Sequence, residues 1–131
     1  MAVQPILKYP HPLLKKMAHA VDGLDAAIHT LVQDLLDTMH AGPGSVGVAA
    51  PQIGVGLRVC VVDVSNSRHG KDNNHGQLCM VNPEIVSRSG NAVMREGCMS
   101  VPDYTGDVER ATEITVRFLD KIGRASCRER V

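Results

Sequence analysis

Leu24, Ile28, Leu31, Val32, Leu35, Leu36 and Met39 recur at the spacing of a single helical face, and the rest of the chain has to be arranged around that stripe. Asp22 or Asp25 can cap its start, and Gly42-Pro43-Gly44 ends it. An apolar face of this width has to be laid against a second apolar surface, and the candidates lie downstream. Leu57 to Val64 is β-branched and mostly apolar, so it reads as a buried strand. Gln77 to Ser87 holds a second strand, bent or confined to an edge at Asn82-Pro83 because proline cannot donate to a ladder. Ala92 to Met99 offers a third. Asp107 to Asp120 reads as one more, with Val108, Ile114, Val116 and Phe118 on even numbers. One helix followed by several strands, without regular alternation, predicts an α+β fold in which one main helix packs on an antiparallel β-sheet. Ahead of the helix, Pro5, Pro10 and Pro12 predict an extended arm that ends in a short helical turn, and the polar residues 65–76 predict a surface loop.

A chain of 131 residues is long enough for one core and too short for two. With no tryptophan and only Phe118, Tyr9 and Tyr104 as aromatics, that core must be built from Val, Ile, Leu, Met and Ala. Lys and Arg total 14 against 14 for Asp and Glu, which provides no field for nucleic acid and no basic stretch for an anionic membrane. No apolar run reaches the length of a membrane span, and residues 1–8 show no secretory pattern, so the expected location is the cytoplasm. None of Cys60, Cys79, Cys98 and Cys127 forms a C-x-x-C pair. Cys60 and Cys79 sit in apolar runs that suit inert buried thiols.

Two short stretches carry the chemistry. In Gly47-Val48-Ala49-Ala50-Pro51-Gln52 small residues let a backbone approach something closely, and one amide side chain follows. Gln52 reads either as the residue that closes a turn or as a polar donor. In Glu96-Gly97-Cys98-Met99-Ser100-Val101-Pro102, Gly97 opens the backbone beside a cysteine that reads either as a packed thiol or, as thiolate, as a metal ligand.

Taken together, in this order, the two stretches resemble the first two signature motifs of the peptide deformylase family. The pattern G-φ-G-φ-A-A-x-Q matches Ser45 to Gln52 except at its first position, which is serine here, and E-G-C-φ-S matches Glu96 to Ser100 throughout. The likeness extends from about Pro5 to Asp120, through Gln52-Ile53-Gly54, Val81-Asn82-Pro83 and Glu109-Arg110-Ala111. It implies metal-dependent hydrolysis of the N-formyl group from formyl-methionyl polypeptides, with contact to the ribosome through nascent chains. The implied cofactor is a divalent metal, Fe(II) first, with Zn, Ni or Co as substitutes. Cys98 would be a metal ligand. Gln52 and the backbone N–H of Met99 would be the catalytic donors, and Val46, Gly47 and Gly97 would form the substrate groove. Glu96 would pair with Arg110.

The family's third motif, H-E-x-x-H on a helix, is absent: none of the six histidines is followed by glutamate. Two metal ligands and the general base are therefore missing, and the expectation is a domain truncated after about residue 121, holding metal weakly and inactive as it stands. Residues 122–131 carry three arginines and no strand or helix period. They resemble one reading frame of a sequencing adapter, which predicts a non-native tail. A second reading is a non-catalytic deformylase-like module that grips N-terminal peptides. A third, a dinucleotide-binding turn at Gly44, Gly47 and Ala50, has the wrong order, since here the glycines follow a helix and lead into a strand.

Overall fold

A computed structural model describes residues 3–42, 45–65, 76–120 and 123, and the backbone of 125–129. Helix α1 runs Ala26–Ala41. Its start is set by Asp25, whose carboxylate accepts the Ile28 N–H at 3.0 Å, and its end by Gly42, whose N–H reaches the Met39 carbonyl at 3.2 Å. Leu24 therefore stands just before the cap, half-buried, while Ile28, Leu31, Val32, Leu35, Leu36 and Met39 form the buried stripe.

The stripe lies on a five-stranded sheet ordered β1-β2-β3-β6-β7, with β1 at Gly47–Ala49, β2 at Val59–Val62, β3 at Leu78–Ser89, β6 at Glu113–Leu119 and β7 at Ala125–Glu129. Every pairing in it is antiparallel. Register and parity explain the core. Val59 pairs with Val81 and Val61 with Cys79, and all four face the helix; Cys60 pairs with Met80 and Val62 with Leu78, and they face the other side with Val116 and Phe118. The thiols of Cys60 and Cys79 thus point to opposite faces of the sheet. Burial, with Cys79 nearby, pushes the Cys60 thiol up to about 11, which keeps it protonated at neutral pH. No described helix is long and apolar enough to cross a membrane.

The α+β architecture is the one expected, with three differences in detail. Residues 107–120 are not one strand: β5, Val101–Arg110, ends at Ala111-Thr112, and β6 belongs to a different sheet. Strand β5 pairs with β4, Ala92–Cys98, as a separate two-stranded sheet. Two strands in line keep the same even-number alternation, and no glycine or proline marks the break, so periodicity cannot separate them. At Asn82-Pro83 strand β3 continues through a register shift, with Asn82 in the left-handed region at φ 53°. There β3 exchanges β2 for β6 as its partner, so the missing proline N–H costs no ladder bond. The Asn82 side chain accepts the Val21 N–H at 2.7 Å and donates to the Val21 carbonyl at 2.8 Å, tying the arm to the sheet. Finally, the stretch without strand period forms β7. Backbone groups of any sequence can pair at an edge, so the side-chain pattern gives no warning of it.

Substitution tests the helix-to-sheet contact. Leu35→Ala, at a residue with no exposed surface, should lower unfolding free energy in urea by about 2–5 kcal/mol. Met17→Ala, at a residue 82% exposed, should change it by less than about 0.5 kcal/mol. Equal effects would mean that the stripe is not the core.

Candidate active site

Strand β1 leads straight into a 3-10 turn, Ala50–Ile53, which ends at Gly54 in the left-handed region, φ 88°. The turn aims Gln52 away from the core. Its amide is held from behind, where Oε1 accepts the Ala49 N–H at 3.0 Å, so the Nε2 end is left facing forward. Gly47 sits in close quarters: a Cβ there would stand 3.3 Å from the Val61 carbonyl oxygen, so the neighbouring strand would have to give by a few tenths of an ångström.

The β4–β5 hairpin brings the second stretch to the same place. Cys98 ends β4, Met99 and Ser100 form the turn, and Val101 begins β5. The N-terminal arm joins the two stretches by backbone: Leu7 N–H donates to the Gln52 carbonyl and Tyr9 N–H to the Ser100 carbonyl, each at 2.7 Å. Gln52 and Cys98, 46 positions apart in sequence, consequently meet with Nε2 and Sγ 3.5 Å apart. The Gln52 amide also donates to the buried Ser100 hydroxyl at 3.1 Å.

Around this pair lies a cleft of about 440 Å³, lined by Val46, Gly47, Gln52, Gly97, Cys98 and Met99, with Ser45 and Val101 to Tyr104 completing its walls. All six residues singled out in the sequence are thus in one place. Among the described residues the Met99 N–H meets no acceptor. Gly97 is not demanded by the hairpin, since a Cβ there would meet only Thr105, at 3.6 Å, and the Tyr104 carbonyl oxygen, at 3.9 Å. Cys98, Gly97, Val101 and Tyr104 also line a second groove of about 320 Å³ on the hairpin. Ser45, where the motif has glycine, buries a hydroxyl that finds no hydrogen-bond partner among the described residues.

Glu96 and Arg110 form a two-pronged pair at 2.8 and 2.9 Å across the hairpin. The hydrogen bonds from the guanidinium, more than its charge, hold the Glu96 carboxyl below its usual range. The pair therefore favours the fold above the ordinary glutamate range and stops doing so as pH falls through the lowered value. Both side chains are well exposed, so this contribution is small. No group of three or more His, Cys, Asp or Glu able to hold a metal exists among the described residues, and His69 and His75 lie outside them. Sequence reasoning gave no role to Ser100, although it closes the second motif, nor to the arm, whose backbone bonds carry no side-chain signal.

A family model described as polypeptide deformylase matches residues 3–129. A peptide deformylase of Nitrosococcus oceani is 43% identical over 124 residues, covering 95% of this chain and 70% of the relative. One of Dehalococcoides mccartyi is 38% identical over 128 residues, covering 98% and 71%. Among solved structures, a peptide deformylase from Legionella pneumophila superposes with TM-score 0.88 at 40% identity, covering 98% of this chain and 72% of that one. The peptide deformylase of Ehrlichia chaffeensis in complex with actinonin gives 0.91 at 35% identity, covering 98% and 75%.

The ion pair offers a direct check. Arg110→Ala should move the Glu96 carboxyl titration, followed by carbon NMR, upward toward the ordinary glutamate range. An unmoved titration would mean that the pair does not form in solution.

Proposed function

The chain belongs to the peptide deformylase family, which removes the N-formyl group from formyl-methionyl polypeptides, and from that premise we propose that its cleft is the substrate-binding and carbonyl-polarising part of a deformylase site. The observation that carries this is the meeting of Gln52 Nε2 and Cys98 Sγ in one cleft. Gln52 and the Met99 N–H act as catalytic donors toward the formyl oxygen as charge develops on it. Losing one such donor typically costs about 10²–10³ in rate. Val46, Gly47 and Gly97 bind the peptide: among the described residues β1 is an edge strand, so an extended chain can lie along it. The actinonin complex of the Ehrlichia chaffeensis relative supports a cleft that takes peptide-like ligands.

Peptide deformylases are metalloenzymes. A catalytic divalent ion takes three protein ligands and leaves one position open. Of the described residues lining the cleft, Cys98 and Asp103 are of ligand type, Glu96 is engaged by Arg110, Gln52 is a weak neutral donor, and no third His, Cys, Asp or Glu stands with them. These residues do not fit a held metal, whether Fe(II), the ion we favour, or Zn, Ni or Co. On this reading residues 1–131 as they stand are inactive. Without a metal, water at neutral pH is a poor nucleophile, and among the described residues no glutamate lines the cleft to act as base. The substrate would be a nascent formyl-methionyl chain, met at the ribosome in the cytoplasm. The reading also divides the chain into a deformylase-like domain at residues 1–121 and a tail at 122–131 of other origin, supported by the tail's likeness to adapter sequence. Sequencing the DNA through codons 118–131 tests that division, which fails if the codons for 122–131 are found in genomic DNA.

Formate release from a formyl-methionyl peptide, with iron, nickel or cobalt added anaerobically, tests the function. Residues 1–131 should show none. A chimera carrying a deformylase C-terminal segment in place of residues 122–131 should turn over, and Cys98→Ala should abolish that turnover. Metal-dependent turnover by residues 1–131 themselves would overturn the proposal, and replacement ligands would then be sought first at His69 and His75. Calorimetric binding of the peptide by residues 1–131, with an inactive chimera, would favour a non-catalytic peptide-binding module instead.

A further inference from the structure

We propose that Ser100 is a positioning residue that holds the Gln52 amide with its second N–H directed to the Cys98 side of the cleft. The inference rests on the donor role given to Gln52 above. The geometry leaves the amide one arrangement. Ala49 N–H can only donate, so the end of the amide facing it, 3.0 Å away, must be Oε1. Nε2 is thereby forced to the other end, where it needs an acceptor for one of its two hydrogens. The Ser100 hydroxyl, in a residue only 4% exposed, supplies it at 3.1 Å. The second hydrogen is left on the Cys98 side of the cleft, where Sγ lies 3.5 Å from Nε2.

Ser100 can do this because it is itself fixed. Its carbonyl accepts the Tyr9 N–H at 2.7 Å, and the Gln52 carbonyl accepts the Leu7 N–H at the same distance. The two bonded residues are therefore registered to each other through the arm, three residues of which span both stretches. A hydroxyl at residue 100 lies two positions beyond Cys98, so the turn that carries Met99 at the cleft also anchors the Gln52 side chain. Without that hydroxyl, Gln52 would keep its bond to Ala49 and turn about it, and the N–H on the Cys98 side, held otherwise only by a weak sulfur acceptor, would no longer be held in one direction. A long unbranched side chain loses rotamer freedom when held, so the anchor has a specific thing to do.

The test reads the Gln52 amide itself in residues 1–131. Hydrogen exchange of side-chain amides is followed by nitrogen-15 NMR, with the Gln52 signals identified by their loss in Gln52→Met. Ser100→Ala should speed exchange of the Gln52 amide by about fivefold, the size expected for one lost hydrogen bond. Ser100→Thr, which keeps the hydroxyl, should restore it. Gln33, whose amide donates to Asp37 at 3.0 Å on α1, is the internal reference and should not change. If Ser100→Ala loses the dispersed spectrum of a folded chain, Ser100→Cys keeps the volume with a weaker acceptor and is read in the same way. Unchanged Gln52 exchange in a folded Ala or Cys variant would overturn the proposal, and so would equal acceleration at Gln33. Because no turnover enters the readout, failure of the chimera to release formate would count against the functional reading alone.

Discussion

Leu35 on α1 and Val61 on β2, neither with any accessible surface, mark the contact on which the other features depend. Burying a side chain of this size contributes about 1.5–3 kcal/mol, and six such residues on one helical face bind the helix to the sheet. That contact fixes β1, because Val48 and Ala50 are buried in the same cluster as the helix stripe. Since β1 runs directly into the turn that carries Gln52, the position of a polar side chain in an open cleft is set by apolar packing behind it. Close packing makes such a support stiff.

The second half of the cleft is held by different means. The β4–β5 hairpin is a separate sheet, with Val93, Met94, Val101 and Tyr104 exposed, so burial does little to place it. Polar bonds do the work instead: the arm's backbone bonds to Gln52 and Ser100, the bond between those two side chains, and the Glu96–Arg110 pair. The exposed pair contributes little to stability, but it is two-pronged and hence directional, which suits it to fixing the path of a hairpin rather than to holding a core. Met99 connects the two regimes, since it packs against the main core while lining the cleft.

Cys98 stands where two grooves meet, one shared with Gln52 and one on the face of the hairpin. Among the described residues the exposed Cys98 thiol has the Gln52 amide as its hydrogen-bond partner. Beside the thiol the cleft carries the Gln52 amide and the Asp103 residue. The chain spans about 70% of the length of the relatives it matches, and the similarity is spread along it rather than confined to the site.

Much of this was legible from residue order. The helix stripe, a cap at Asp22 or Asp25, the stop at Gly42-Pro43-Gly44, the existence of β2 and β3, and the two motif stretches are local patterns, because helical period and β-branched runs are recorded directly in residue order. Periodicity was blind where an interaction is made by backbone. It ran β5 and β6 together, it missed β7, and it gave no hint that Leu7 and Tyr9 stitch the two motifs. Nor could it show that the Gln52 amide has only one possible orientation, since that depends on an Ala49 N–H behind it and a Ser100 hydroxyl 48 positions away. The sequence by itself determined which residues must be buried and which small set could do chemistry. Only the tertiary structure decided that this set shares one cleft, because the bonds that gather it link residues far apart in the chain and are made largely by backbone groups that every sequence possesses.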